Sequence, residues 1–304
     1  MRILVLGAGG IGGYFGGRLA EAGEDVTFLV RPERARRLAE TGLVVESPHG
    51  NIAQPVETVT ADRLARPYDV ILLTCKAYDL DDAIAAIRPA VGRDSAVIPM
   101  LNGMQHLDRL DAAFGAQRVL GGFCQIGATL APDGRVLHLN KMHLLGFGER
   151  SGETTRRADE IARHFGRGRF DTRLSSIIVL EMWEKWVMLA SLAAMTCLMR
   201  GNVRRILEAQ DGGALMMEAL EECGAVAAAA GYAPRADFIE RTKKMLSVPS
   251  DTAASMLRDI ERGGPTEGDH VIGDLLARGR SLGVATPLLR VAYAHLQTYE
   301  AGRK

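Results

Sequence analysis

Through the first half of the chain, short β-branched and apolar runs alternate with stretches of helical period. Arg2–Leu6, Asp25–Val30, Val70–Cys75, Ala96–Pro99, Val119–Phe123 and Val136–Leu139 read as strands. Between them Ile11–Ala22, Glu33–Thr41 and Leu80–Pro89 place apolar residues at helical spacing. Such alternation predicts a parallel, doubly wound sheet. The stretch Gly121–Gly148 differs, because Pro132-Asp133-Gly134 is turn chemistry between two runs. It predicts antiparallel strands that extend the edge of that sheet. Beyond Ser175 the β-branched runs vanish, and Ala, Leu, Met and Glu follow a helical period. Helices are expected over Ile177–Met199, Asn202–Leu207, Ala214–Ala230, Arg235–Met245, Ser255–Arg262, Glu267–Leu282 and Pro287–Tyr299. The expected architecture is an α/β Rossmann-type N-terminal domain over residues 1–173, then an all-α C-terminal domain over residues 174–304.

Composition narrows the class without changing that picture. Apolar residues make up 47% of 304 and charged residues 24%, the balance of a globular chain able to bury two cores. The 37 basic and 37 acidic residues cancel, so no field favours nucleic acid or an anionic membrane. The apolar run Trp186–Met199 is too short to span a bilayer. Cys75, Cys124, Cys197 and Cys223 have no metal-ligand spacing, which predicts reduced thiols in a cytoplasmic protein. Apolar helices in the second half suit a homodimer interface or a plain core equally well.

The first chemical signal is Gly7-Ala8-Gly9-Gly10-Ile11-Gly12, between a strand and a helix. Such a loop binds a dinucleotide: Gly7 permits the tight turn, Gly9 close backbone approach to the pyrophosphate, and Gly12 close helix–strand packing. The helix N-terminus offers free N–H groups to the phosphates. The second strand ends in Val30-Arg31, where a site for NAD would carry a carboxylate. Arg31 instead suits a 2′-phosphate, and Arg34, Arg36 and Arg37 add positive field, so NADP(H) is the expected cofactor. Glu33 is expected in the first turn of the next helix, where negative charge is favoured.

Further motifs follow in order: Thr74-Cys75-Lys76 at a strand end, Leu101-Asn102-Gly103-Met104, Trp183-Glu184-Lys185 opening a long apolar helix, Ser255-Met256, and Thr266-Glu267 after Gly-Pro. With the glycine loop and Arg31, they resemble the ketopantoate reductase (2-dehydropantoate 2-reductase) family along the whole chain. The resemblance implies reduction of a 2-keto acid by NADPH in a cleft between a Rossmann and a helical domain. It implies Lys185 as the catalytic lysine, Glu267 as the active-site glutamate and Ser255 as a substrate-binding serine. It also implies Asn102 at the nicotinamide side, Lys76 near cofactor and substrate, and Arg31 on the 2′-phosphate.

The chemistry agrees. Ketone reduction puts a hydride on carbon and a proton on oxygen, and an ammonium group can polarise the carbonyl and deliver that proton. Lys185 is the sole lysine between Lys141 and Lys243, and burial at an apolar helix would lower its pKa toward working pH. One departure stands out. The family carries Asn four and eight residues after that lysine, whereas here Leu189 and Ala193 occupy those positions, stacked on the same helix face. Ser191, at i+6, points elsewhere. The expectation is therefore ketopantoate reduction, or alternatively reduction of a more apolar keto acid or ketone. A third reading, a sensor that binds NADPH without turnover, sits poorly with the retained acid–base set. Trp183 and Trp186 are expected in the core, and His106 and His143 at the surface or in packing roles.

Overall fold

The computed structural model describes residues 1–303. In chain order the elements are β1 (Arg2–Leu6), α1 (Gly10–Glu21), β2 (Asp25–Leu29), α2 (Pro32–Thr41), β3 (Leu43–Glu46), β4 (Ile52–Gln54), β5 (Glu57–Val59), β6 (Tyr68–Leu73), α3 (Leu80–Ile87), β7 (Val91–Pro99), α4 (Gln105–Phe114), β8 (Gly121–Leu130), β9 (Val136–Gly148), α5 (Arg156–Phe165) and β10 (Asp171–Leu174). Helices follow: α6 (Ile178–Met199), α7 (Val203–Glu208), α8 (Gly212–Ala229), α9 (Ala236–Ser247), α10 (Ser255–Glu261), α11 (Asp274–Ser281) and α12 (Pro287–Gly302). A π-helical turn, Asp269–Gly273, runs directly into α11. The fold is thus a Rossmann-type α/β unit followed by an all-α one. One compact unit comprises Met1–Leu101 with His106–Ile178, and the other comprises Asn102–Gln105 with the chain from Val179 onward.

In the first unit, the order β5-β2-β1-β6-β7 forms a fully parallel sheet. Strand order reverses between β1 and β6, which opens a crevice at their C-terminal ends. The expected edge extension is not there. Val119 makes only an isolated bridge to Val97. After it the chain turns away, and β8 and β9 build a second sheet, ordered β10-β9-β3-β4 with β8 on β9. Gly122 permits the departure, since a Cβ there would lie 2.6 Å from the Pro99 carbonyl oxygen.

Helix α1 lies between the two sheets, and its glycines explain how. On one face, Cβ atoms at Gly12 and Gly16 would collide with β1, β2 and Thr74; at Gly16 the Phe28 ring is 2.7 Å away. On the other face, Gly13 would meet Val136 at 2.7 Å and Gly17 would meet Leu43 at 2.9 Å. The repeated i, i+4 spacing gives each sheet its own smooth stripe. Tyr14, Phe15 and Leu19 fill the space between the stripes and are fully buried with Phe28, Leu43, Val45 and Phe147. A glycine costs helix stability, but here closeness to two β layers recovers it as buried apolar area.

The second unit is built on α6. Trp183 and Trp186 are buried, and their rings lie 4.9 Å apart. Glu184, also buried, accepts from the backbone N–H, Nε and Nη2 of Arg235 at 2.9, 2.8 and 2.6 Å, and so fixes the start of α9. At the start of α12, Glu222 accepts the N–H groups of Leu288 and Leu289, both at 2.9 Å. A carboxylate is favoured there by the free N–H groups and the helix dipole. Among the described residues no helix is long and apolar enough to cross a membrane.

Candidate active site

The glycine loop is shaped by close approach. Gly7 has φ +96°, a conformation that excludes most side chains. Its N–H donates to Leu29 at 2.9 Å, while Thr74 at the end of β6 donates through Oγ1 to Leu6 at 2.7 Å. Three strand ends are thereby tied together. A Cβ on Gly12 would run into the Gly7 carbonyl and Thr74 Oγ1. Gly10 is pinned by β8, because a Cβ there would be 2.9 Å from the Ala128 carbonyl. Gly9 alone opens onto free space, with nothing within 4 Å of a Cβ. As N-cap of α1 it has no side chain to cap the helix, and the first intrahelical bond runs from Gly13 N to Gly9 O at 2.8 Å. The N–H groups of Gly10, Ile11 and Gly12 therefore have no carbonyl within the helix. A cradle open at Gly9, with N–H donors that the helix itself leaves without acceptors and a positive dipole end, fits a pyrophosphate. Ala8 is buried behind it.

Arg31 is the N-cap of α2, and its side chain is 77% exposed. Its Nη2 reaches Asp79, beyond β6, at 2.9 Å. This pair spans the strand ends that flank β1, and an exposed ion pair of that kind is worth about 0–1 kcal/mol. A dianionic 2′-phosphate can displace Asp79 from it, so the residues present fit NADP(H). Glu33 does occupy the first turn of α2. Arg34 and Arg37 act differently from the expected positive field. Arg34 donates to the carbonyls of Ala8 and Gly134, both at 2.9 Å, and Arg37 donates to Pro132 at 3.1 Å. They buttress the glycine loop and the β8–β9 turn, a role that only tertiary structure reveals. Lys76 follows β6, half-buried, as the N-cap of a 3₁₀ turn at Ala77–Asp79.

The remaining site residues belong to the second unit. Lys185 and Glu267 are buried, with relative exposures of 9% and 8%. Buried charged groups of this kind are costly unless they are engaged. Three of the expected residues are chain neighbours of groups that pack on or bond to the π turn. Glu267 lies two residues before it, and its carbonyl accepts from His270 N at 3.1 Å and Val271 N at 2.9 Å. Asn102 adjoins Gly103, whose φ is +79° and whose Cβ would lie 3.0 Å from the His270 carbonyl oxygen. Lys185 adjoins Trp186, whose indole Nε1 donates to the Val271 carbonyl at 2.9 Å. Asn102 thus groups with the helical unit, although strand β7 before it and all but the first residue of helix α4 after it belong to the other.

Ser255 is not gathered there by any of these contacts. It is exposed at the first position of α10. The neighbouring Ala254 N–H donates to Thr196 Oγ1 at 3.4 Å. Thr196 lies eleven residues beyond Lys185, or about 16 Å along α6. On the Lys185 face, Leu189 is half-buried and Ala193 buried. Ser191 donates its hydroxyl back to the carbonyls of Val187 and Met188 at 2.8 and 3.1 Å. It offers no replacement for the two missing amides.

Comparison with known proteins identifies the family. A family model described as ketopantoate reductase PanE/ApbA matches residues 3–152, and one described as ketopantoate reductase PanE/ApbA C terminal matches residues 178–300. The chain is 38% identical over 302 residues to the Bacillus subtilis protein named uncharacterized oxidoreductase YkpB, covering 99% of each. It is 27% identical to 2-dehydropantoate 2-reductase of Pyrococcus horikoshii, covering 99% of this chain and 98% of that one. The crystal structure of 2-dehydropantoate 2-reductase from Geobacter metallireducens superposes with a TM-score of 0.90 at 27% identity, covering 98% of this chain and 99% of that one. The chain belongs to the ketopantoate reductase family and is an NADP(H)-dependent oxidoreductase acting on CH–OH groups.

Proposed function

We propose that this protein reduces a 2-keto acid to the 2-hydroxy acid, with 2-dehydropantoate as the leading substrate and Lys185 as general acid. The observation that supports the reading is that buried Lys185 and Glu267, together with Asn102, sit in segments joined through one π turn, by the Trp186 indole, the Glu267 carbonyl and Gly103. When bound, NADPH supplies the hydride. The Lys185 ammonium polarises the ketone and gives its proton to the oxygen as the C–O bond becomes single. Glu267 orients that ammonium or accepts the substrate hydroxyl, and Asn102 orients the nicotinamide side. Gly7, Ala8, Gly9, Gly10, Ile11 and Gly12 hold the pyrophosphate, Arg31 the 2′-phosphate, and Lys76 attracts the anionic ends of cofactor and substrate. Ser255 then binds substrate only if the ligand, or α10, bridges the distance from Lys185.

A second reading is favoured by the face of α6. Leu189 and Ala193 supply no donor, and the Ser191 hydroxyl is committed to the backbone. A substrate hydroxyl desolvated against such a face loses about 1–3 kcal/mol. An apolar 2-keto acid escapes that loss. Steady-state NADPH oxidation compares the two readings directly. A kcat/KM of about 10⁴ M⁻¹s⁻¹ or more with 2-dehydropantoate supports the first. A value at least tenfold higher with 2-ketoisovalerate or phenylglyoxylate supports the second. We place the reaction in the cytoplasm, supported by four cysteines that stand free of disulfides.

A further inference from the structure

The π turn Asp269–Gly273 is held from three sides. From α6, the Trp186 indole donates to the Val271 carbonyl, and the ring is almost fully buried. From α12, Tyr293 donates its hydroxyl to Asp269 at 2.8 Å, and its ring lies 2.9 Å from where a Cβ on Gly273 would stand. From the Asn102–Gln105 segment, Gly103 packs on His270. The i+5 closure of the turn is formed by Asp274 N–H on the Asp269 carbonyl. A π turn inserts a residue into a helix at a cost and occurs mostly where function needs it. Here its gain is geometric, because one short segment sets three distances at once: α6 to Glu267, Glu267 to Asn102, and both to α12.

We infer that Trp186 is a positioning residue for the reduction. Its indole bond to Val271 fixes the register of α6 against the π turn and thereby places the Lys185 ammonium relative to Glu267. The carbonyl of Val271 has a second lone pair available for such a donor. The Arg278 guanidinium lies 5.8 Å from the Trp186 ring centroid and 5.9 Å from that of Trp183, which limits rotation of the indole. Tyr293 does the same work from the opposite side by holding Asp269. The inference rests on the proposed role of Lys185.

Trp186→Phe removes the donor and keeps a ring, and Tyr293→Phe removes the outer bond from a half-exposed site, so at least one variant remains folded. Each is assayed with NADPH and whichever 2-keto acid the wild type turns over fastest. Trp186→Phe is expected to lower kcat about 10- to 100-fold, the scale of a misplaced reacting group, with KM for NADPH unchanged. Tyr293→Phe is expected to lower kcat about threefold or more. The deuterium isotope effect from (4-²H)NADPH should rise in both, because chemistry becomes limiting; loss of folded enzyme alone would leave it unchanged. Backbone hydrogen exchange over residues 267–273 should accelerate. If both variants keep kcat within twofold while Lys185→Ala loses turnover, the positioning role falls and the proposed function stands. If Lys185→Ala turns over normally, both fall.

Discussion

Alanine at Gly9 and alanine at Gly12 should separate what the glycine loop does for ligand from what it does for the fold. The two positions are three residues apart in the same turn, yet their surroundings are opposite. At Gly9 an added Cβ meets no protein atom within 4 Å, and the backbone is extended at φ −89°. An N-cap alanine costs some helix stability, while replacing glycine removes about 0.4–1 kcal/mol of unfolded-state entropy. These nearly cancel, so Gly9→Ala should leave the melting temperature of the free protein within about 2 °C. The methyl group nevertheless occupies the space a pyrophosphate would use. A rise in NADPH Kd of tenfold or more is expected, equal to about 1.4 kcal/mol. At Gly12 the Cβ runs into the Gly7 carbonyl and Thr74 Oγ1 and lies 3.1 Å from Val5 Cγ1. Backbone and a strand-bonded hydroxyl cannot yield, so α1 must lift from the sheet. Overpacking of this kind costs about 1–3 kcal/mol, or roughly 2–12 °C for a domain of this size. Binding should also weaken, because the helix N-terminus moves. Differential scanning calorimetry with and without NADPH, paired with isothermal titration, reads both effects. Unchanged NADPH affinity in Gly9→Ala would refute the pyrophosphate cradle. An unchanged melting temperature in Gly12→Ala would refute the packing account.

Other outcomes follow from the same structure. Arg31→Ala should raise KM for NADPH by about tenfold, the scale of a lost charged hydrogen bond, and leave KM for NADH within twofold. Asp79→Asn, which frees Arg31 from its present partner, should not weaken NADPH binding; parallel titrations with both cofactors check this. His138 and His143 lie beside His49, with Tyr14, Arg18 and Asp171 facing them. Burial holds both imidazoles below the usual histidine range, and the neighbouring positive groups act in the same direction. The folded state therefore binds fewer protons than the unfolded state. Their contribution is complete above about pH 6.5 and declines as pH falls through the lowered values. Urea unfolding should show this acid loss, and His138→Gln/His143→Gln should reduce its slope.

Much of this architecture is legible along the chain because it is local. The glycine loop fixes β1, α1 and the cofactor crevice within twelve residues. Helices α6 to α10 follow from period and breakers. The second sheet escapes the same reading, since β3, β4 and β10 have only three or four residues each, and β3 and β10 pair with the distant β9. The i, i+4 glycines at 12/16 and 13/17 were the available sign that α1 is flanked on both faces. Helix α5 is mostly polar, and only Ala158, Ile161 and Phe165 are buried along its inner stripe. Helix α4 was likewise unexpected. The π turn and the allegiance of Asn102 depend on contacts with Trp186, His270 and Tyr293, which no local pattern encodes. Arg34 shows the same limit: its charge suggested a phosphate, and its neighbours turned it into a brace for Ala8 and Gly134.

Proton delivery by Lys185 to a 2-keto acid reduced by NADPH can be read from single-turnover NADPH oxidation at 340 nm by wild type and Lys185→Ala, with 2-dehydropantoate, 2-ketoisovalerate and phenylglyoxylate in turn. The wild type should oxidise NADPH with at least one of these acids. Lys185→Ala should lose about 10²- to 10⁴-fold in rate, with NADPH affinity preserved. No oxidation with any 2-keto acid, or a wild-type rate in Lys185→Ala, would contradict that role of Lys185.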